Sequence, residues 1–443
     1  MRRTLLLVGG IFKKNVVRGM KWMLCLALLY PAVSQAQVVD CTGADPNAFP
    51  SINAALGSAG PGSAILVTGP CTEDLRLEGK TNLFIGAWYG QRVTLNGNIS
   101  VSDSHGVYLY GLDISSTSTN GIFAGSTQAI ILDSCSSNGN SGWGLLLGGA
   151  SEALIISPAA FDNNVAGGIS VSENSTVEMT SWNGQLIEIN NNRGPGVFSS
   201  QGNFNTYGHT TIANNMAGSG SLSGFGVDLR GGARAQFGAI SGPNVVQGNQ
   251  SGGVSLQENA EISFWNGGQP TIIQGNGGAG VSAGLGSQVT FFDAVEVAGH
   301  SGPGLDVYAS SQAFLFGANN IHNNGNSADP RSAGIRVDGN SQVVLRGGSV
   351  AQNGGPGILA LANSSVDSNG AALNANSGGV ITCDSSSWMV SDLGKNYFST
   401  PGVSCRVPHS LGNRTVWKTQ PANPDWSALK ALQAKYMATA KRK

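Results

Sequence analysis

Apolar residues along this chain come in short bursts that alternate with small polar residues, and the bursts recur. The clearest form is a glycine, then an aliphatic residue, then any residue, then usually a small or aliphatic one. Its glycines are Gly121, Gly144, Gly168, Gly196, Gly226, Gly253, Gly280, Gly304, Gly334, Gly357 and Gly379, spaced 22 to 30 residues apart. The residue after each is aliphatic, from Ile122 and Leu145 through Val254 and Leu305 to Ile358 and Val380. A small turn, often with serine, then leads to a second alternating segment, such as Gln288-Val289-Thr290-Phe291-Phe292 or Gln342-Val343-Val344-Leu345-Arg346. An asparagine-rich stretch follows: Asn163-Asn164, Asn190-Asn191-Asn192, Asn214-Asn215, Asn319-Asn320, Asn323-Asn324. Alternation every second residue marks strands buried on one face. Asparagine and glycine supply the left-handed backbone of tight turns. Stacked asparagine amides have the donors and acceptors to bond from coil to coil. A recurring unit of this length with two or three short strands predicts a parallel β-solenoid. Neither the regular leucines of leucine-rich repeats nor a 3.6-residue period is present.

These elements resemble the right-handed parallel β-helix proteins, the pectate-lyase-like superfamily with its carbohydrate-binding and sugar-hydrolase repeats. The resemblance covers residues 80 to 387. It implies an all-β, single-stranded solenoid of about 11–12 coils. Both ends look like caps, since a solenoid must cover its open edges. Phe49 to Leu56 predicts a short amphipathic helix, and Gly62 to Val67 then starts a strand. Asp425 predicts a helix cap, followed by a helix from Trp426 to Ala440 with Trp426, Leu429, Gln433 and Tyr436 on one face. The resulting division is 1–36 leader, 37–80 N-terminal cap and first strand, 81–387 β-helix, 388–420 C-terminal cap and 421–443 amphipathic helix.

The leader reading rests on a basic start (Arg2, Arg3, Lys13, Lys14, Arg18, Lys21), an apolar run from Trp22 to Tyr30, and small residues at Ser34 and Ala36. That is the layout of a secretory signal peptide cut after Ala36; Met20 opens a shorter leader of the same layout. The apolar run is far shorter than the ~20 residues that cross a bilayer. The expected location is therefore periplasmic or extracellular. Cysteines agree with export. Cys41 with Cys71, and Cys383 with Cys405, flank the first and last regular segments, as end-staples formed in an oxidising compartment would. Cys135 is left over, as a buried free thiol or, alternatively, a reactive one.

Composition narrows the function. Only 11% of the 443 residues are charged, and 24 basic against 25 acidic residues leave a net charge of −1. That excludes an electrostatic footprint for nucleic acid or anionic lipid. The 65 glycines lack a three-residue period, so the chain is not collagen-like. No cysteine or histidine spacing suggests a zinc site, and no cofactor or metal is implied.

In enzymes of the family resembled, catalysis sits on outward residues of the strand that here follows the repeat glycine. One place gathers ionisable groups on adjacent coils: Asp306, Tyr308, Arg336 and Asp338, with Arg331 and Asp329 in the preceding loop. Asp306, Arg336 and Asp338 are the candidate catalytic set, Tyr308 and Arg331 candidate substrate contacts. An arginine there is able to hold a uronate carboxylate bidentately, and two carboxylates about 5–9.5 Å apart hydrolyse glycosides. Against this, Asp306 beside Arg336 is also an ordinary cross-strand ion pair. The polygalacturonase sets Asn-Thr-Asp, Asp-Asp and Arg-Ile-Lys are missing, no acidic triplet matches the lyase calcium site, and no lysine occurs between Lys80 and Lys395. On the second strand, Trp265, Phe292 and Phe316 point outward if Phe264, Phe291 and Leu315 point in. Such a ladder stacks on sugar rings, docks a partner, or lies under the C-terminal segment. Two functions stay open: a non-catalytic exported β-helix that binds a polysaccharide or serves as a scaffold, and a polysaccharide lyase or glycoside hydrolase.

Overall fold

Each full turn of the chain lays one strand on each of three parallel sheets. The computed structural model describes residues 36–390, except 182–183, 219–222, 327–328 and 330, together with 403–404. Sheet one has 15 strands, from Gln37–Asp40 to Trp388–Val390; sheet two has 12, from Val93–Asn96 to Ala372–Asn374; sheet three has 14, from Leu75–Glu78 to Val403–Ser404. The solenoid thus runs to about 14 turns, more than the glycine repeat counts, because its first turns lack the repeat glycine. The core is one continuous column of inward aliphatic side chains along the axis. The predicted strand after each glycine is sheet three. Ile122, Leu145, Ile169, Val197 and Val227 pair residue to residue and are fully buried. At the last glycine the pattern slips by one: Ile381, not Val380, pairs with Ile358.

The repeat glycine has a steric cause. A β-carbon on Gly226 would lie 2.8 Å from the Asn249 side-chain nitrogen and 2.8 Å from the Gly253 carbonyl oxygen. Gly144, Gly196, Gly304 and Gly334 meet the same two kinds of neighbour. The glycine is therefore required by close approach between coils, not by a left-handed backbone.

The asparagine turn joins sheet two to sheet three. Its first asparagine takes the left-handed conformation at Asn163, Asn191, Asn214 and Asn323 (φ 55–60°). The next one is buried and builds a ladder: the Asn164 amide donates to Asn192, Asn192 to Asn215, Asn215 to Asn249 and Asn249 to Asn276. Each amide also donates to a backbone carbonyl, as Asn249 does to Ile212. A second ladder, of serines, lines the turn from sheet three to sheet one. There the backbone N–H of Ser287, Ser311 and Ser341 donates to the hydroxyl of Ser311, Ser341 and Ser364 in turn. Its rungs are missing at Gly202, Ala233 and Ala260, in the coils where Phe204, Phe237 and Phe264 stack inside sheet one at 5.3–5.8 Å.

At the N-terminal end the strand Gln37–Asp40 pairs outside Ala64–Thr68, an edge strand the sequence pattern did not predict. The predicted helix spans Ile52–Leu56. The Ser51 hydroxyl accepts from the Ala54 N–H, and the Glu73 carboxylate accepts from the N–H groups of Ile52 and Asn53 at 2.7 and 2.9 Å. Ile52, Ala55 and Leu56 enter the core. Cys41 and Cys71 form the expected disulfide, and Cys383 is also disulfide-bonded. Its expected partner Cys405, the leader before residue 36, nearly all of the 388–420 cap and the 421–443 helix lie outside the described residues. Among those described, no helix is long and apolar enough to cross a membrane.

Candidate binding face on the third sheet

Because strands of sheet three alternate, residues two and four past each repeat glycine point outward in two files. The first file runs Phe198, Asp228, Ser255, Ser282, Asp306, Arg336 by direct strand pairing. The structure brings Asp306 and Arg336 together: Arg336 Nε donates to Asp306 Oδ1 at 2.8 Å. Burial raises the Asp306 pKa, Arg336 counters that, and the nearby Asp338 charge adds to the rise. Asp338 is half-buried, and its carboxylate has no hydrogen bond or counter-ion among the described residues. Tyr308 turns away from this group. Its ring lies over Gly284, whose β-carbon would come within 2.5 Å of it, and its hydroxyl accepts from Gln257 Nε2 at 2.6 Å. Arg331 sits exposed in a turn fixed by its own N–H donating to Asp329.

The sequence reading missed a second charged group on this face. Asp228 is 1% exposed, and Arg230, two residues on, donates to it through Nη2 at 2.8 Å and Nε at 3.2 Å. The Ser223 hydroxyl donates to the same carboxylate. The Arg230 guanidinium also lies over the Phe198 ring, 5.8 Å from its centre, and Trp143 packs 6.2 Å beyond. Both Asp228 and Arg230 stand in the outward files. The signal was the spacing of two within one strand, where only pairs across coils were sought. Between the two ion pairs the first file carries only Ser255 and Ser282, while in the second the Tyr308 ring and Gln257 cover Gly284. Three strand steps, about 14 Å, separate Asp228 from Asp306.

The aromatic ladder stands on sheet one, so it shares no face with Asp306. Phe264, Phe291 and Leu315 point in, as expected, and Trp265, Phe292 and Phe316 point out. Trp265 and Phe292 stack with centres 3.7 Å apart and planes 12° apart, and Phe292 and Phe316 stack at 6.0 Å. Ring faces that a sugar would use are thus turned on one another, and Trp265 is only 8% exposed. A second outward apolar cluster, Tyr108, Ile131, Leu154 and Ile156, occupies the N-terminal end of the same sheet.

Two histidines have structural places. His300 occupies the asparagine ladder: its Nδ1 accepts from the Asn276 N–H at 3.1 Å, and its Nε2 donates to the Ile273 carbonyl at 3.0 Å. This fixes the neutral Nε2–H form, and burial lowers its pKa to about 4. His209 Nδ1 bonds the Gly184 carbonyl. Cys135 is a buried thiol, with its pKa pushed up to about 12 by burial. Cys41, Cys71 and Glu73 are the only described trio close enough to share a metal ion, and two of them are joined as the disulfide.

A family model described as a right-handed β-helix region matches residues 244–407. The match agrees with the three parallel sheets: the chain folds as a right-handed parallel β-helix. Similar solved structures include the pectate lyase Pel9A, at 14% identity over 63% of this chain and 75% of that one, TM-score 0.42. The A-module of the Azotobacter vinelandii mannuronan C-5 epimerase AlgE4 gives 14% identity over 77% and 94%, TM-score 0.43. The AlgE6 A-module gives 14% over 76% and 93%, TM-score 0.37. These likenesses carry no residue roles across. No curated protein matches the chain.

Proposed function

We propose that this protein is exported and binds a polysaccharide along the outer face of sheet three without cleaving it. One observation carries the reading: both outward carboxylates of the first file, Asp228 and Asp306, are closed by an arginine of the same face. General acid/base cleavage of a glycoside needs two carboxyl groups free to exchange protons; of Asp228, Asp306 and Asp338, only Asp338 lacks a partner among the described residues. The same geometry suits binding. The first file carries small serines, Ser255 and Ser282, between the ion pairs, the rings of Phe198, Trp143 and Tyr308 stand on the same face, and the guanidinium of Arg230 is half-exposed. Export is supported by the leader pattern and by the disulfides, which form in oxidising compartments.

A second reading, polysaccharide lyase or glycoside hydrolase, has one observation in its favour. Asp306, whose pKa burial raises, stands near Asp338, whose carboxylate has no partner among the described residues. Affinity electrophoresis on pectin, alginate and neutral glycans, with assays for reducing ends and unsaturated uronides, separates the two. Binding predicts retardation without product, weakened by Phe198→Ala and Arg336→Ala. Product that vanishes in Arg336→Ala would overturn it. Neither retardation nor product would overturn both readings and leave a scaffold.

A further inference from the structure

We propose that the core of the solenoid contains a site for bound water, held by Asn244 and Thr271. The site lies inside the rod and is independent of the binding reading for sheet three.

Most of the inward column is aliphatic or aromatic, but one stretch differs. In the coil that carries Phe204, the inward residues Ser199, Thr206 and Thr210 are polar, and all three are fully buried. Strand pairing fixes their inward direction, because they stand beside the core residues Leu229, Phe237 and Ile187. On sheet two the polar file continues: Thr210 pairs with Asn244, and Asn244 with Thr271. One strand further, Val295 returns the file to apolar packing.

This file has more hydrogen-bonding capacity than the protein uses. Asn244 is 0% exposed, and neither the oxygen nor the nitrogen of its amide has a partner among the described residues. The hydroxyl of Thr271, on the adjacent strand, is also buried and unpartnered, as is that of Ser199. Thr206 and Thr210 share one hydrogen bond at 2.7 Å, which leaves one hydroxyl hydrogen still to be given. An amide gives two hydrogens and accepts at its oxygen, while a hydroxyl does both. Leaving such groups dry in a core is costly, and ordered water, with about three hydrogen bonds, is their usual partner. Asn244 and Thr271 are neighbours across one strand spacing, about 4.8 Å, so one water is able to bridge them. Asparagine, serine and threonine bring no charge to the site, which suits a neutral ligand and not an ion.

A crystal structure of the full chain, at a resolution that shows ordered solvent, tests this. A water peak is expected within hydrogen-bonding distance of both the Asn244 amide and the Thr271 hydroxyl. Thr271→Val keeps the shape and removes the hydroxyl, so the peak should weaken. Asn244→Leu combined with Thr271→Val should abolish it. In solution, oxygen-17 relaxation dispersion should count at least one fewer long-lived internal water in the double variant than in the natural chain. If the double variant does not fold, Thr271→Val and the map of the natural chain decide. A direct Asn244–Thr271 hydrogen bond with no peak overturns the proposal. An unchanged water count in a folded double variant does the same. A peak that acquires an anomalous signal in rubidium-soaked crystals would assign a cation and also overturn it.

Discussion

The turn that enters sheet three carries an asparagine in nearly every coil, and the turn that leaves it carries a serine in many. Both run buried along the rod, yet they hold it differently. An asparagine rung is bonded on both sides by its side chain. Asn249 donates to Asn276 and to the Ile212 carbonyl, and its oxygen accepts from the backbone and side chain of Asn215. A serine rung such as Ser311 accepts a single backbone N–H from the neighbouring coil, at 3.1 Å. The difference teaches that the asparagine turn joins coils through side chains, while the serine turn chiefly satisfies a backbone donor. It also explains why serine rungs are dispensable. At Ala233 the backbone N–H finds Arg230 instead, and phenylalanines fill those coils.

The strongest way to break this contrast is Asn249→Ala. It leaves the Asn215 backbone N–H and one of its amide hydrogens without their acceptor, takes one donor from the Ile212 carbonyl, and opens space in the core. Since each buried orphan costs about 1–3 kcal/mol, a loss of about 4 kcal/mol is expected in urea unfolding followed by circular dichroism. A stability change under about 1 kcal/mol would show that the ladder is ornamental.

The next effect depends on pH. Burial lowers the His300 pKa from 6.5 to about 4, so between those values the unfolded chain binds a proton that the folded one refuses. Stability from this site is therefore lost as pH falls through that window, by about 3 kcal/mol at its foot. Asp162, raised to about 6 by burial, acts in the opposite sense, losing its contribution as pH rises toward 6. The difference between His300→Asn and the natural chain removes that background. It should show the variant gaining relative stability as pH drops from 6.5 to 4; a flat difference would contradict the buried neutral ring.

Smaller still is Ser311→Ala, expected to cost less than about 1 kcal/mol, because the Ser287 N–H it releases also reaches the Gly284 carbonyl at 3.3 Å. Its mirror, Ala260→Ser, restores a missing rung and should change stability by less than about 0.5 kcal/mol, because the donor it would serve is already bonded. A larger gain from Ala260→Ser would mean that the gap in the ladder is a true defect.

Sheet three was legible in the sequence because a steric rule fixes one residue per coil. The glycine needed between an asparagine amide and the next backbone announces where each strand begins. The first turns, from Gln37 to Ser115, were less legible since no such ladder has begun there to demand the glycine. Outward direction was legible too: alternation placed Asp306, Arg336, Trp265 and Phe292 correctly. Partnership was not. Tyr308 leans back two coils to Gln257 because Gly284 leaves room for its ring, and no pattern within its own coil records that space. Asp228 with Arg230 escaped because the pair lies within one strand.

The parallel sheets also settle how the rod answers force. Strands run across its long axis, so the hydrogen bonds between coils point along it. A pull from the two ends loads every bond of one coil interface together and the successive interfaces one after another. Extension should therefore proceed by whole coils parting in steps, with the force of each step set by the local rungs and not by the length of the rod.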